Sequence, residues 1–408
     1  MSKKKILLCT DVKFWRLRMG NHSRINSMIL FFLKHGFQVT VMGINELTPL
    51  DRKQIKAYGK ELKVIETRKY NISKIKGKFL YKAFELGIKN VNKIRKKIGV
   101  APDNKLLSDY FSYECLLIFR YLCKLKKPDI ILIEYVYFAY LVQMSRHYIP
   151  KQSKLVIDTH DVMYQRCKSF QTHNAKNFFH ITKEEEKKAL NCFDIIIAIN
   201  QKDYKSIKRM VPDRTVLNVP HYHEVKKLPK VSCGIISIMY IAGASEATVK
   251  TINQFIKYVW VDLFEKYKSG IQLNIYGQVC TKLSKELLKY GVNLQGYIDN
   301  LEDAYKENHI IINPVFFGSG LKIKNVEALC YGKPLVTTSV GAQGIEEGSN
   351  NAFMLCDKYE DMYHCICSLI ENEELRNNLS EKAYQFALKN FTEEASYKQL
   401  KDLWLNMQ

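Results

Sequence analysis

Short apolar runs alternate along this chain with apolar residues at helical spacing. Runs such as 130–133 and 310–312 have the length and β-branched content of strands that are buried on both faces. Between such runs, apolar residues recur every three or four positions, as at Ile25, Met28 and Phe32, which predicts amphipathic helices. The alternation predicts an α/β protein built on parallel sheets.

The first strand-helix-strand unit lies at the start of the chain. An apolar run at 6–9 leads through Gly20 into a helix that closes at Gly36, and a second strand follows at 37–42. This order predicts the opening of a Rossmann-like domain, with Gly20 at the strand-to-helix crossing. The three-glycine dinucleotide fingerprint is missing there, which disfavours nicotinamide and flavin cofactors.

Polar residues end two later strand-like runs, at 128–135 and at 154–161. Side chains at the carboxyl ends of parallel strands line the ligand crevice of such folds, so His160 is a candidate site residue. The alternative is a strand-end histidine with a structural hydrogen bond.

Residues 309–338 predict a strand, a glycine loop at 318–320, a helix at 321–331 and a second strand. The first amides of a helix lack partners and its dipole is positive there, so an anion such as a diphosphate is the expected ligand. Lys322 adds a charge on the same turn.

Glu327 lies on this predicted helix, where side chains lean toward the N-terminus and hence toward the same site. A carboxylate avoids phosphate and prefers hydroxyl groups, so Lys322 and Glu327 together indicate a pocket for a nucleotide sugar. The alternative is that the glycines form an ordinary turn and that Glu327 is a solvated helix residue.

This stretch resembles the signature of the group 1 glycosyltransferases, the retaining family four with the GT-B fold. The matching residues are Gly318, Ser319, Gly320, Leu321, Lys322, Ile323 and Lys324, then Val326 to Leu329, then Gly332 to Thr338, and then Gly341 to Ile345. The common pattern has two glutamates eight positions apart, the first touching the transferred sugar. Here Glu327 is the second, but Ser319 occupies the first position.

The resemblance implies roles for further residues. It places His160 against the donor sugar, where it would stabilise charge at the anomeric centre, and Gly20 near the donor phosphates and acceptor, together with Arg24. The alternative for Arg24 is a solvated helix residue. The implied catalytic residues are His160, Lys322 and Glu327, and the implied donor-binding residues are Gly20, Gly243, Gly277, Tyr297, Gly318, Ser319, Gly320, Leu321, Lys322 and Glu327.

The resemblance also implies two Rossmann-like domains that face each other across a cleft, and a length of 408 residues agrees with two cores. We predict an acceptor domain at 1–223, a linker at 224–233, a nucleotide-sugar domain at 234–390, and a C-terminal helix at 391–408 that crosses back to the first domain. Within the second domain, Gly243 would lie near the diphosphate, Gly277 near the nucleotide and Tyr297 near the base. The alternatives are turn glycines and a packing tyrosine.

Metal and redox chemistry are not expected. The eleven cysteines contain no Cys-x-x-Cys pair, which predicts reduced cytosolic thiols, and no Asp-x-Asp pair is present. We predict no divalent metal and no bound cofactor.

The net charge of +22 gathers partly in a predicted helix at 78–98. Its apolar positions are Leu80, Phe84, Ile88, Val91, Ile94 and Ile98, and its basic positions are Lys78, Lys82, Lys89, Lys93, Arg95, Lys96 and Lys97. A basic amphipathic helix suits an anionic membrane surface. The alternatives are a core-facing helix with a lysine-rich solvent side, and a lysine-rich proteome.

We therefore predict a retaining glycosyltransferase that moves a sugar from a nucleotide diphosphate to a hydroxyl of a surface glycan, such as a capsule or lipopolysaccharide, with a glycan or lipid-linked acceptor. The start of the chain and the run at 130–142 are too short for a signal peptide or a membrane span, so a cytoplasmic protein, peripheral on the inner membrane face, is expected. No nucleic-acid partner is predicted. The rival functions are a sugar-nucleotide epimerase of the same fold and a non-catalytic relative.

Overall fold

The structure is a computed structural model that describes residues 3–70, 78–99, 105–173, 175, 177, 179–230, 234–298 and 300–405. These residues divide into two compact units, the first formed mainly by residues up to Asn218 and the second mainly by residues from Val219 onward. The main division thus precedes the predicted linker, of which residues 231–233 lie outside the described ones. The domain boundaries predicted from the sequence stay predictions.

Unit 1 is built on a seven-stranded parallel sheet with strand order β3-β2-β1-β5-β6-β8-β9. Its strands are β1 (Lys5–Cys9), β2 (Gln38–Ile44), β3 (Leu62–Glu66), β4 (Lys105–Leu106), β5 (Ile130–Glu134), β6 (Lys154–Asp158), β7 (Phe179–His180), β8 (Ile195–Ala198) and β9 (Thr215–Asn218). Its helices are α1 (Gly20–Lys34), α2 (Pro49–Lys56), α3 (Lys78–Lys97), α4 (Tyr113–Lys126), α5 (Ala139–Gln143), α6 (Met163–Thr172), α7 (Lys183–Leu190) and α8 (Gln201–Met210). Strands β4 and β7 form a separate pair.

Strand β1 lies in the middle of this sheet, where Leu8 is in register with Val41 of β2 and with Leu132 of β5. Both faces of the central strands are covered, which explains why these strands are continuous apolar runs rather than alternating ones. The carboxyl ends of β1, β5 and β6 therefore meet at one edge of the sheet.

Helix α3 differs from the other helices in what its apolar positions contact. Leu80 is 74 % exposed and Ile98 beyond its end is 64 % exposed, and Val91 and Ile94 are also exposed. Ile88 packs against the core of unit 1, and the Phe84 ring meets the core residue Phe111 edge-on, with 5.5 Å between ring centroids. The alternative that these six positions face the core is therefore wrong for most of them.

Unit 2 is built on a six-stranded parallel sheet with strand order β12-β11-β10-β13-β14-β15. Its strands are β10 (Ile236–Ile241), β11 (Ile271–Tyr276), β12 (Val292–Gly296), β13 (Ile310–Asn313), β14 (Leu335–Thr337) and β15 (Met354–Leu355). Its helices are α9 (Glu246–Phe255), α10 (Val261–Tyr267), α11 (Leu301–Glu307), α12 (Ile323–Cys330), α13 (Tyr359–Glu371), α14 (Glu373–Asn390) and α15 (Glu393–Leu405). A π-helical turn at Ile256–Trp260 joins α9 to α10.

Candidate active site

Glycines follow three neighbouring strands of unit 2 at the carboxyl edge of the sheet. Gly277 has a φ of +90°, and a Cβ there would lie 2.3 Å from the carbonyl oxygen of Ala242, so no other residue fits. Its amide donates to the carbonyl of Gly296, 2.6 Å away. Gly243 faces open space, and Tyr297, just after β12, is 46 % exposed. Backbone is therefore accessible along this edge, as a ligand would require.

The loop between β13 and α12 contains two glycines in conformations that favour glycine. The φ angles are +127° at Gly318 and +73° at Gly320. Helix α12 begins at Ile323, two residues later than predicted, so Lys322 precedes its first turn. The ammonium of Lys322 donates to the carbonyl oxygens of Ser319 (2.9 Å) and Gly320 (2.7 Å). The charge thus lies beside the loop and the first residues of α12.

A buried network of hydrogen bonds between side-chain amides and the backbone supports this loop. Asn325 on α12 accepts a hydrogen bond from Asn313 (2.9 Å) and donates to the carbonyl of Gly341 (2.9 Å). A Cβ at Gly341 would lie 2.0 Å from Oγ1 of Thr337, so this position requires glycine. The network fixes the end of β13, from which the loop departs, against the start of α12.

Glu327 is buried, with 7 % of its surface exposed, so the alternative of a solvated helix residue is wrong. Burial raises the pKa of Glu327 to about 8, and the opposing effects of the Lys324 charge and the Tyr305 hydroxyl do not cancel it. A buried carboxyl group can form hydrogen bonds with a ligand's hydroxyl groups, and it accepts them on both oxygens once it is ionised.

Lys324 was not singled out by the sequence analysis, although it lies in the matching stretch. Its ammonium donates to the carbonyl of Ile241 at the end of β10 (3.0 Å) and lies 4.7 Å from the centre of the Tyr240 ring. Burial, and then the charge of Lys322, lower the pKa of Lys324 to about 7, while Glu327 opposes the shift. Two lysines therefore lie near the start of α12.

In unit 1, His160 follows β6 and meets a carboxylate from the neighbouring strand. Its Nε2 lies 2.6 Å from Oε2 of Glu134, the last residue of β5. His160 has a φ of +57°, and its ring stacks on the ring of Tyr135 at 4.0 Å between centroids. The backbone conformation, the stacking and the Glu134 contact together fix the orientation of the imidazole.

Arg24 on α1 is fully buried and forms a bidentate ion pair with Asp158, the last residue of β6. The distances are 2.7 Å from Nε to Oδ2 and 2.8 Å from Nη2 to Oδ1. The alternative of a solvated Arg24 is therefore wrong. Burial alone would raise the pKa of Asp158, but the charges of Arg24 and His160 hold it below its usual value.

Glu134, Asp158 and His160 offer three possible metal-ligand atoms within 4.8 Å of one another, the one such group among the described residues. The donor set does not fit a cation, because Arg24 donates to both carboxylate oxygens of Asp158 and places a positive charge beside the cluster. We therefore derive no step through a metal at this cluster.

Asp51, which was not predicted from the sequence, holds the segment between β1 and Gly20 in place. This buried carboxylate accepts hydrogen bonds from Lys13, Trp15 and Arg16, each at 2.8 Å. Burial alone would raise the pKa of Asp51, but Arg16 and Lys13 hold it far below its usual range. Asp51 thus positions the turn that leads to Gly20, the first residue of α1.

The predicted site residues fall into two groups. The first group belongs to the carboxyl side of the sheet in unit 2 and comprises Gly243, Gly277, Tyr297, the loop residues 318–321, Lys322 and Glu327. His160 and Gly20 follow strands of the other sheet. The roles assigned to all of these residues stay predictions. The structure adds four residues to the candidate site, namely Glu134, Asp158, Asp51 and Lys324.

Residues 236–372 match the sequence profile of a family described as glycosyl transferases group 1. An uncharacterized glycosyltransferase of Methanocaldococcus jannaschii is 28 % identical over 227 residues, which cover 53 % of this chain and 56 % of that protein. A poly(glycerol-phosphate) alpha-glucosyltransferase of Bacillus subtilis is 27 % identical over 185 residues, covering 43 % and 25 % of the two chains. The chain thus spans about half or less of the length of these relatives.

Two solved structures resemble the whole chain. The crystal structure of TarM has a TM-score of 0.70 at 16 % identity and covers 100 % of this chain and 99 % of its own. A mutant of the Staphylococcus aureus TarM in complex with fondaparinux, alpha-GlcNAc-glycerol and UDP has a TM-score of 0.66 at 14 % identity, with 99 % of each chain covered. The predicted α/β fold of the GT-B class is confirmed. The predicted resemblance to group 1 agrees with the family profile over residues 236–372.

Proposed function

We propose that this protein is a retaining glycosyltransferase that moves a sugar from a nucleotide diphosphate to a hydroxyl group of a cell-surface glycan. The observation that carries the proposal is the N-terminus of α12 with Lys322 beside it, together with the buried Glu327 one turn further on. This helix lies inside the stretch that matches the family profile.

In this proposal the diphosphate binds at the start of α12, where backbone amides and the helix dipole favour an anion. Lys322 and Lys324 supply positive charge, and that of Lys322 matters most when the diphosphate leaves. Glu327 accepts hydrogen bonds from the ribose hydroxyls, and Gly277 lets the nucleotide approach the backbone.

The sugar would be held by His160, whose ring Glu134 and Tyr135 orient. The bond from the anomeric carbon to the diphosphate breaks, a bond to the acceptor oxygen forms on the same face, and the acceptor proton leaves with the nucleoside diphosphate or to water. The products are the extended glycan and the nucleoside diphosphate. The scheme uses no divalent metal and no bound cofactor.

The names of similar proteins support the choice of substrates. The Bacillus subtilis relative is named as a glucosyltransferase of poly(glycerol-phosphate), and the similar TarM structure contains UDP and a GlcNAc-glycerol. We infer a nucleotide-sugar donor of the same general kind, and an acceptor among polyol-phosphate or saccharide chains of the cell surface.

Thermal-shift measurements with nucleotide sugars and nucleoside diphosphates test the donor site. A ligand at a hundred times its Kd should stabilise the protein by about 2.7 kcal/mol. Glu327→Gln should bind the selected nucleoside diphosphate about tenfold more weakly at pH 9, because the ribose loses a charged acceptor. Since the pKa of Glu327 is raised to about 8, the difference should nearly vanish at pH 6.5.

The same ratio of affinities measured in a Lys324→Met background isolates Glu327, because Glu327→Gln alone also changes the pKa of Lys324. A ratio that is the same at both pH values would remove Glu327 from the ribose site. Once the donor is identified, its turnover is measured with and without a glycan acceptor. Release of free sugar without acceptor would favour an epimerase-type reaction, whereas transfer only with a glycan supports the proposal. Stabilisation by the donor without any turnover would indicate a non-catalytic relative.

We further propose that the enzyme works peripherally on the inner face of the plasma membrane, through α3. No helix among the described residues is long and apolar enough to cross a bilayer. Helix α3 exposes Phe79 (82 %), Leu80 (74 %) and Phe84 (51 %) beside its basic residues, and Glu85 is its one acidic residue. Exposed apolar side chains together with lysines match the chemistry of an anionic lipid surface.

Liposome sedimentation tests this surface. The protein should sediment with anionic but not neutral vesicles, and about 1 M salt should release it because screening removes the attraction of the basic residues. Changing Lys93, Arg95, Lys96 and Lys97 to glutamine should weaken binding by at least tenfold. The matched control changes Lys250, Lys282, Lys285 and Lys289 of unit 2 to glutamine. Equal binding by both variants would show that only net charge matters.

A further inference from the structure

Two cysteines at the edge of the sheet in unit 2 lie in direct contact and take no part in the proposed reaction. Cys356 directly follows β15, and Cys365 lies on α13. Their Sγ atoms are 2.9 Å apart. Cys356 is buried, with 1 % of its surface exposed, whereas Cys365 is half-buried. An outside reagent would therefore reach Cys365 first.

We propose that Cys356 and Cys365 form an oxidation site, at which a small disulfide such as oxidised glutathione converts the two thiols into an intramolecular disulfide. This inference is independent of the proposed glycosyl transfer. A disulfide bond has an S–S length of about 2.0 Å, so the sulfur atoms need to approach by only about 1 Å.

The reaction balances in two exchange steps. The thiolate of Cys365 attacks one sulfur of the small disulfide, forming a mixed disulfide and releasing one thiol. The sulfur of Cys356 then attacks Cys365, the intramolecular bond forms, and the second small thiol leaves with the remaining proton. The protein loses two electrons and two hydrogens, and the small disulfide gains them.

The electrostatics support this order of attack. The hydrogen bond from Cys356 lowers the pKa of Cys365, although burial opposes the effect. The same contact, and then burial, raise the pKa of Cys356. Cys365 is thus both the more accessible thiol and the one more readily ionised, as the attacking group must be.

The backbone around Cys356 is held in place by two hydrogen bonds to the neighbouring segment. The amide of Cys356 donates to the carbonyl of Thr337 on β14 (2.8 Å), and Asp357 accepts from the amide of Ser339 (2.7 Å). The new bond would fasten the edge strand β15 to α13 through a short loop. We expect the transition of unit 2 to rise by about 5 °C on oxidation and to return on reduction.

The test uses the full chain, incubated with oxidised glutathione and then alkylated. The intact mass should fall by two hydrogens before alkylation, and after it the protein should carry two alkyl groups fewer than the reduced protein. Digestion with trypsin should leave the peptide ending at Lys358 joined to the peptide that begins at Tyr359. Fragmentation should place the link on Cys365. With Cys356→Ala, Cys365 should instead retain one glutathione, because no second thiol resolves the mixed disulfide.

Two matched variants complete the experiment. Cys367→Ser removes the nearby cysteine of the same helix, and Cys192→Ser removes another half-buried thiol in unit 1. Both should still form the link, whereas Cys365→Ser should not. A glutathione that persists on Cys365 in the wild-type protein, or a link that survives in Cys365→Ser, would overturn the proposal.

Discussion

Replacing Lys322 with alanine is expected to lower turnover by about 10²- to 10³-fold, while the apparent affinity for the donor stays within about threefold. The ammonium lies 2.7 Å from the carbonyl of Gly320, beside the N-terminus of α12. Its charge counts most when the diphosphate carries the charge that the breaking bond releases, so the loss should appear in kcat rather than in KM. Steady-state kinetics with the donor selected by thermal shift provide the measurement.

The comparison needs a lysine in the same unit but away from the loop. Lys306 on α11 pairs with Glu302 at 2.7 Å, and Lys306→Ala should leave both kinetic constants nearly unchanged. Lys322→Arg should recover part of the activity, since it restores charge with altered geometry. Equal turnover of Lys322→Ala and wild type would refute the assignment of Lys322.

Asp158→Asn is expected to lower the free energy of unfolding by about 3–5 kcal/mol, because the buried Arg24 would lose the charged partner of its bidentate ion pair. For a unit of this size that corresponds to a Tm lower by about 10 °C. The pKa of Asp158 is held low, so its contribution is present above the usual carboxyl pKa and is lost as the pH falls. Calorimetry should find that the variant and the wild type converge in acid.

A paired replacement separates the buried charge from the packing. Arg24→Met combined with Asp158→Leu removes both charges and should be considerably more stable than Asp158→Asn alone. Asp194→Asn is a suitable control, because Asp194 caps a strand start by accepting from the amide of Leu155. If Asp158→Asn and Asp194→Asn lower the free energy of unfolding by the same amount, the ion pair between Arg24 and Asp158 stabilises the protein no more than an ordinary capping contact does.

Local patterns in the sequence were enough to predict the strands, the glycine loop and α12. The start of α7 illustrates why: the Thr182 hydroxyl accepts from the amide of Glu185, a capping contact between residues close in sequence. Strands β5 at Ile130–Glu134 and β13 at Ile310–Asn313 contain the apolar runs 130–133 and 310–312 from which buried strands were predicted.

What the sequence could not supply are contacts between distant residues. Arg24 and Asp158 meet only because α1 packs near the end of β6, and a spacing of 134 positions leaves no local signal. The helical period of α3 was visible, but a period does not say whether the apolar side meets a core or solvent. For Lys324, only the fold reveals that the side chain reaches the carbonyl of Ile241.

The strand order of unit 1 has a consequence for how the polypeptide folds as it leaves the ribosome. Strand β1 lies between β2 and β5, so its second neighbour emerges only after residue 130, and such distant parallel pairing is slow. All seven strands of that sheet have nevertheless been made by Asn218, before any strand of the other sheet. Synthesis from Asn218 to Leu355 at the end of β15 is about 137 residues and takes roughly 7 to 27 s, so the first sheet can close before the last strand of the second sheet has been made.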